Sequence, residues 1–173
     1  SILPTATQYA RNAIFAGLTP LAIDKIMPDL WLNDNEHGGK NQHEEDFLRR
    51  QMQSQGKSYK LFFDKIVKTD SGKRLIENFD RVAAADFSVI VYNFLDILSH
   101  ARTETQSIRD LAEDEAAFRS LTRSWFEHSD LLELMRLVAD RGHTVIVTSD
   151  HGTIQVDRPV RVQGDRETSS NLR

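Results

Sequence analysis

The chain has 173 residues, 39% apolar and 28% charged, with 8 Gly and 4 Pro. That composition suits one globular domain over residues 1–173 and excludes disordered, collagenous and coiled-coil chains. There is no Cys, which removes disulfide frameworks and thiolate metal sites and fits a reducing, cytoplasmic setting. The 22 basic and 26 acidic side chains leave a net charge of -4, without the positive field of a general nucleic-acid coat protein.

In chain order, Ser1 to Thr5 reads as the end of a strand closed by Pro4. From Thr7 the sequence reads as a helix, with Ala10, Ala13 and Ile14 at helical spacing and a stop at Gly17. Thr19 and Pro20 open a second helix, to about residue 27, as N-cap and first helical residue. Residues 33–44 are polar and turn-forming, and predict a loop that leads into a charged helix ending near Gln55. Lys60 to Val67 reads as a strand, and Ser71 to Ala84 as a helix with Leu75, Ile76, Phe79 and Val82 on one face.

Two β-branched, nearly uncharged runs follow, Phe87 to Phe94 and His143 to Ser149. They have the pattern of strands buried on both faces of a parallel sheet. Between them a helical stretch runs from about Thr105 to Arg141 and ends at Gly142, with Leu131, Leu134, Met135 and Val138 as its core stripe. Strand, crossover helix and strand make a βαβ unit, so the expected class is α/β with a doubly wound, mostly parallel sheet flanked by helices. The most apolar run, Phe87 to Leu98, is broken by Asn93 and Asp96 and is shorter than the ~20 residues of a bilayer crossing. No membrane partner is expected. The chain opens at Ser1 without Met and stops at Arg173 with no element closing it, as expected of a piece of a longer protein.

Ligands of doubly wound sheets gather beyond the carboxyl ends of the strands, and both β-branched runs end in residues capable of chemistry. After the first come Asp96 and His100, four positions apart, a spacing at which a carboxylate and an imidazole reach one cation. After the second come Asp150, His151 and Gly152, where adjacent ligands need a sharp backbone turn that glycine allows. Each pair alone is a weak signal, read more readily as a capping Asp beside a surface His. At the ends of two parallel strands they suit zinc, manganese or iron in a hydrolytic site. The third element is Pro4-Thr5-Ala6-Thr7-Gln8-Tyr9-Ala10-Arg11-Asn12. A hydroxyl at this strand-to-helix junction sits among free amides and the positive end of a helix dipole, where a phosphate would rest. Its other reading is an N-cap by Thr5 or Thr7.

Residues 1–17, taken with Val147-Thr148-Ser149-Asp150-His151-Gly152, resemble the PglZ domain of PorX-type response regulators, within the alkaline phosphatase superfamily of two-metal phosphohydrolases. The resemblance runs over nearly the whole chain. It implies a nucleophile at Thr7, with Thr5 the second choice. One zinc would be held by Asp96 and His100, the other by Thr7, Asp150 and His151. Arg11, one helical turn beyond Thr7, would reach a phosphate oxygen, or equally be a solvated helix-face arginine. It implies a phosphodiesterase acting on nucleotide or short oligonucleotide phosphodiesters as the output domain of a two-component regulator. The partners would be a sensor kinase and the transcription machinery, with a possible homodimer. A phosphomonoesterase or phosphomutase on the same scaffold, and a non-catalytic module with structural metals, are the alternatives. The superfamily also uses an Asp upstream of the nucleophile and a His far downstream, and neither is found in this sequence. His37, His43, His128 and His143 match no ligand of the pattern: His37 and His43 read as loop or helix-start residues, His128 as helical and His143 as a strand start.

Overall fold

A computed structural model describes residues 6–32, 39–152, 158 and 160. Ser1 to Thr5 and His37 lie outside them. The described residues group into two compact units, one drawn from residues 1–58 and 147–173, the other Tyr59–Ile146.

The first unit is helical in its described part. Helix α1 (Thr7–Ala16) stops at Gly17, whose backbone at φ 65° lies in the left-handed region and whose amide donates to the Ala13 carbonyl. A β-carbon at Gly17 would meet only the movable end of the Gln51 side chain, so it is the backbone conformation that selects glycine. Helix α2 (Pro20–Ile26) begins as its sequence predicts, with the Thr19 hydroxyl accepting from the Ala22 amide at 3.4 Å and Pro20 in the first turn. Helix α3 (Glu44–Ser54) carries Glu44, Glu45 and Asp46 in its first turn, where the exposed amides favour negative charge. The core joins Ala16, Ile23, Met27, Trp31 and Phe47, with Tyr9 stacked on Trp31 at 6.1 Å between ring centroids. The buried face of α1 is Ala10, Asn12, Ala13 and Ala16. Ile14, expected on that face, is 46% exposed, while Asn12 is 1% exposed.

In the second unit, β1 (Leu61–Ile66) pairs in parallel with β2 (Phe87–Tyr92), Leu61 opposite Phe87 and Ile66 opposite Tyr92. Between them run α4 (Thr69–Glu77) and α5 (Phe79–Ala83), so the single helix expected over Ser71 to Ala84 is interrupted at Asn78. The predicted stripe packs: Leu75, Phe79 and Val82 join Ile66 and Leu134 in the core, with Ile76 against them. After β2 come α6 (Phe94–Glu104), α7 (Gln106–Leu111), α8 (Glu115–Glu127) and α9 (Asp130–Asp140). The expected long helix over 105–141 is therefore three helices. The breaks fall where Asp114 and Ser129 take side-chain hydrogen bonds from the Ala117 and Leu132 amides, each starting a new helix. Helix α9 ends near Gly142, at φ 70°.

The expected strand His143 to Ser149 is not assigned as one. The run has no ladder partner among the described residues, and Val145, Ile146 and Val147 are 47%, 84% and 79% exposed. β-branched composition reports a preference for pleated, packed surfaces, and a strand forms only where a neighbour supplies the hydrogen bonds. The sheet among the described residues is accordingly two-stranded. It is α/β in class, and its βαβ unit is β1, α4–α5 and β2 rather than one built on residues 143–149.

Candidate functional site

Thr7 is the first residue of α1. The N-cap is Ala6, which offers no side-chain acceptor, so Thr7 is not the capping residue that one sequence reading allowed. Its hydroxyl lies 3.1 Å from the His151 Nε2. The amides of Thr7 and Gln8 have no acceptor among the described residues, leaving the positive end of a three-turn helix beside the hydroxyl.

His151 is oriented from within its own turn. Its Nδ1 is 3.2 Å from the Gly152 carbonyl oxygen, to which it can donate, and this turns Nε2 towards Thr7; in the neutral ring with its proton on Nδ1, Nε2 is the nitrogen with the lone pair. The turn is held by the Asp150 carboxylate accepting from the His151 amide at 3.2 Å, and by the Ser149 hydroxyl donating to the His151 carbonyl at 2.9 Å. Gly152 is not in the left-handed region; side-chain hydrogen bonds, rather than glycine's conformational freedom, shape the turn. The other Asp150 oxygen, Oδ2, lies 3.8 Å from His151 Nε2. Thr7 thus meets His151, 144 positions away, with Asp150 beside the same imidazole.

The second pair lies in the other unit. Asp96 and His100 occupy one face of α6, with Asp96 Oδ1 3.3 Å from His100 Nε2. The four-residue spacing thus falls on one helical turn. Among the described residues, no group of three or more His, Asp and Glu side chains is placed to hold a metal ion.

Arg11 is engaged by Glu44. Its Nη2 donates to Glu44 Oε2 at 2.8 Å, and Nε lies 2.6 Å from Oε1. The Glu44 side chain is fully buried. Arg11 is therefore neither solvated on a helix face nor directed by its position alone: a buried carboxylate fixes it. Three residues around α1 escaped the sequence reading, Asn12, Asn41 and Glu44. Asn41 Nδ2 donates to the Thr7 carbonyl at 3.3 Å and to Asn12 Oδ1 at 3.2 Å, and Asn12 Nδ2 donates to the Lys40 carbonyl at 3.1 Å. The signal for Asn12 was its place between Ala10 and Ala13 on the small-residue face; Asn41 and Glu44 carried none, lying in or beside a polar loop. Of the remaining histidines, His43 precedes α3 and contacts Asp46 at 3.0 Å, and His128 caps the end of α8 with Nδ1 2.7 Å from the Ser124 carbonyl. His143 is exposed.

The donors suit a divalent metal. An imidazole nitrogen with a free lone pair, a hydroxyl 3.1 Å from it and an adjacent carboxylate are hard-to-borderline ligands. Two ligands of a tetrahedral ion with ~2.0 Å bonds stand about 3.3 Å apart. No curated protein matches the chain. A family model does, over residues 1–172, described as the BREX system PglZ alkaline phosphatase-like domain. By that match the chain belongs to the PglZ family of alkaline phosphatase-like domains, a phosphohydrolase-type superfamily.

Proposed function

We propose that the protein is a zinc-dependent phosphodiesterase that cleaves nucleotide or short oligonucleotide phosphodiesters through Thr7. The observation that carries this is the 3.1 Å approach of the Thr7 hydroxyl to His151 Nε2 at the N-terminus of α1. Membership of an alkaline phosphatase-like family supports it. Thr7, Asp150 and His151 would hold one zinc, and Asp96 and His100 would contribute to the other, on a sheet extended to the doubly wound form. When bound, the zinc ions supply Lewis acidity that activates a hydroxyl and neutralises phosphoryl charge.

The chain's own groups do the rest. The Gly152 carbonyl holds the His151 tautomer. Asn41 ties the Thr7 backbone to the loop before α3, so that the hydroxyl approaches phosphorus from a fixed position. The amides of Thr7 and Gln8 receive a nonbridging phosphoryl oxygen. Thr7 Oγ1 gives up its proton to solvent and bonds to phosphorus as the bond to the leaving ester oxygen breaks and that oxygen takes a proton from water. This leaves a nucleotidyl-threonine diester; a second water then cleaves the threonine–phosphorus bond and releases a nucleotide monoester.

The domain acts in this proposal as the output of a two-component response regulator in the cytoplasm, coupled to a sensor kinase and the transcription machinery, and capable of homodimerising. No described helix is long and apolar enough to cross a membrane. Turnover of bis-nitrophenyl phosphate, set against nitrophenyl phosphate, tests the chemistry: faster diester cleavage is expected, and a monoester preference would make the protein a phosphomonoesterase on the same scaffold. No turnover of either, in protein with bound metal, would make it a non-catalytic module.

A further inference from the structure

The second unit carries a groove of about 330 Å³ between β1 and the α4–α5 segment. Phe62 and Asp64 of β1 line one wall; Ser71, Arg74, Asn78 and Arg81 line the other. This follows from the two local periodicities. Alternate strand residues point the same way, and positions three, four and seven apart share a helix face. The apolar base is Leu75, which is buried.

Two features bear on what this groove could hold. Arg74 and Arg81 are both exposed and line the same groove, and neither makes an ion pair with a carboxylate among the described residues, a lack they share with Arg102 and Arg136 elsewhere in the unit. Arg74 Nη2 instead reaches the Ser71 hydroxyl at 3.3 Å, and Asn78 Nδ2 donates to the Arg74 carbonyl at 2.7 Å, leaving the Asn78 amide oxygen for another donor. The Arg81 guanidinium lies over the Phe62 ring, 5.9 Å from its centroid, so that a cation and an aromatic ring together form a polarisable platform in the groove.

A planar fork without a carboxylate partner is suited to phosphate, which it can bind through paired hydrogen bonds. A phosphate alone would not use the aromatic platform, the Asp64 carboxylate or the Asn78 amide oxygen. A heterocyclic base would use the platform, and its sugar hydroxyls or amino groups would donate to the two acceptors. We propose that this groove is a nucleotide-binding site, separate from the Thr7 and His151 site, in which Arg74 and Arg81 take the phosphate and the Phe62–Arg81 platform takes the base. Its volume is at the lower end of the usual range for small-ligand sites.

Calorimetric titration of the protein with adenosine 5′-monophosphate, inorganic phosphate and adenosine tests it. The monophosphate should bind saturably and more tightly than either fragment, and Arg74→Gln and Arg81→Gln should each weaken it by about tenfold or more. Circular dichroism and the unfolding midpoint should match the parent protein. Hydrolysis of bis-nitrophenyl phosphate should be unchanged in both variants, since neither residue belongs to the Thr7 site. Absence of saturable binding at millimolar nucleotide would overturn the proposal. So would affinity unaffected by both substitutions, which would put the nucleotide elsewhere, or inorganic phosphate binding as tightly as the nucleotide. The readout is binding, so failure here is distinct from failure of the phosphodiesterase reading, which is read by turnover.

Discussion

Thr7 Oγ1 and His151 Nε2 stand 3.1 Å apart although 144 positions separate them in the chain. The contact sets a hydroxyl at a helix N-terminus against an imidazole whose other nitrogen is held by its own turn. Neither residue has that property alone. A threonine hydroxyl is a weak nucleophile near neutral pH, and becomes useful only when a neighbouring group favours its ionised form.

Replacing Thr7 by Ala should accordingly lower diester hydrolysis by about a thousandfold or more. The far-UV spectrum should be preserved, because the α1 cap is Ala6 and the core residues of α1 are elsewhere. Thr7→Ser, which keeps the hydroxyl, should retain a measurable fraction of the rate. Equal rates for Thr7→Ala and the parent protein would remove Thr7 from the chemistry, and Thr5→Ala would then be the variant to compare.

Metal content provides a second check, independent of turnover. His100→Ala and His151→Ala should each reduce the zinc measured by elemental analysis by about one ion per chain, since each removes an imidazole from a different proposed site. His43→Ala should leave it unchanged, because His43 contacts Asp46 at the start of α3. Parent protein prepared without chelator and containing no metal would refute the zinc assignment for both sites.

The Arg11–Glu44 pair should matter more for stability than any exposed pair. With the Glu44 side chain fully buried, Glu44→Ala leaves the Arg11 cation in a poorly solvated position without its partner, at a cost of about 3 kcal/mol. Urea unfolding measures this. Arg49→Ala breaks a solvent-exposed pair with Glu45 and should change stability by less than about 1 kcal/mol. A smaller effect at Glu44 than at Arg49 would mean that the buried pair is held mainly by the surrounding packing.

Tyr92 predicts an alkaline weakness. Burial, followed by the Asp130 and Asp64 charges, pushes its hydroxyl up to about 12, and that hydroxyl has no hydrogen-bond partner among the described residues. The unfolded chain loses the phenolic proton near pH 10, before the folded chain does. Between about pH 10 and pH 12 the unfolded state therefore binds fewer protons, and stability falls as pH rises. Tyr92→Phe should flatten that fall while leaving the urea midpoint at pH 7 equal or slightly higher, because an unpaired buried hydroxyl is lost with no partner abandoned. An alkaline transition identical in the two proteins would assign it to other groups.

Local chemistry made much of this protein legible in one dimension. Thr19 and Pro20 announce α2 because a hydroxyl acceptor and a fixed φ are sufficient to start a helix, and Gly17 ends α1 because few other residues adopt its backbone angle. The spacing of Leu75, Phe79 and Val82 gave the buried face of α4 and α5 for the same reason: periodicity is a property of the segment itself. Asp96 and His100 were legible as a pair because four residues make one helical turn. Tertiary structure decided the remainder. Whether residues 143–149 form a strand depends on a neighbouring strand, which no property of that run contains. That Asn12 is buried while Ile14 is exposed depends on Lys40 and Asn41 supplying partners from another segment. Arg11 faces Glu44 because α3 packs on α1, and His151 reaches Thr7 because the fold closes a separation of 144 residues. Spacing along a helix is set by bonds within the segment, whereas a partner distant in sequence is set by how the whole chain packs.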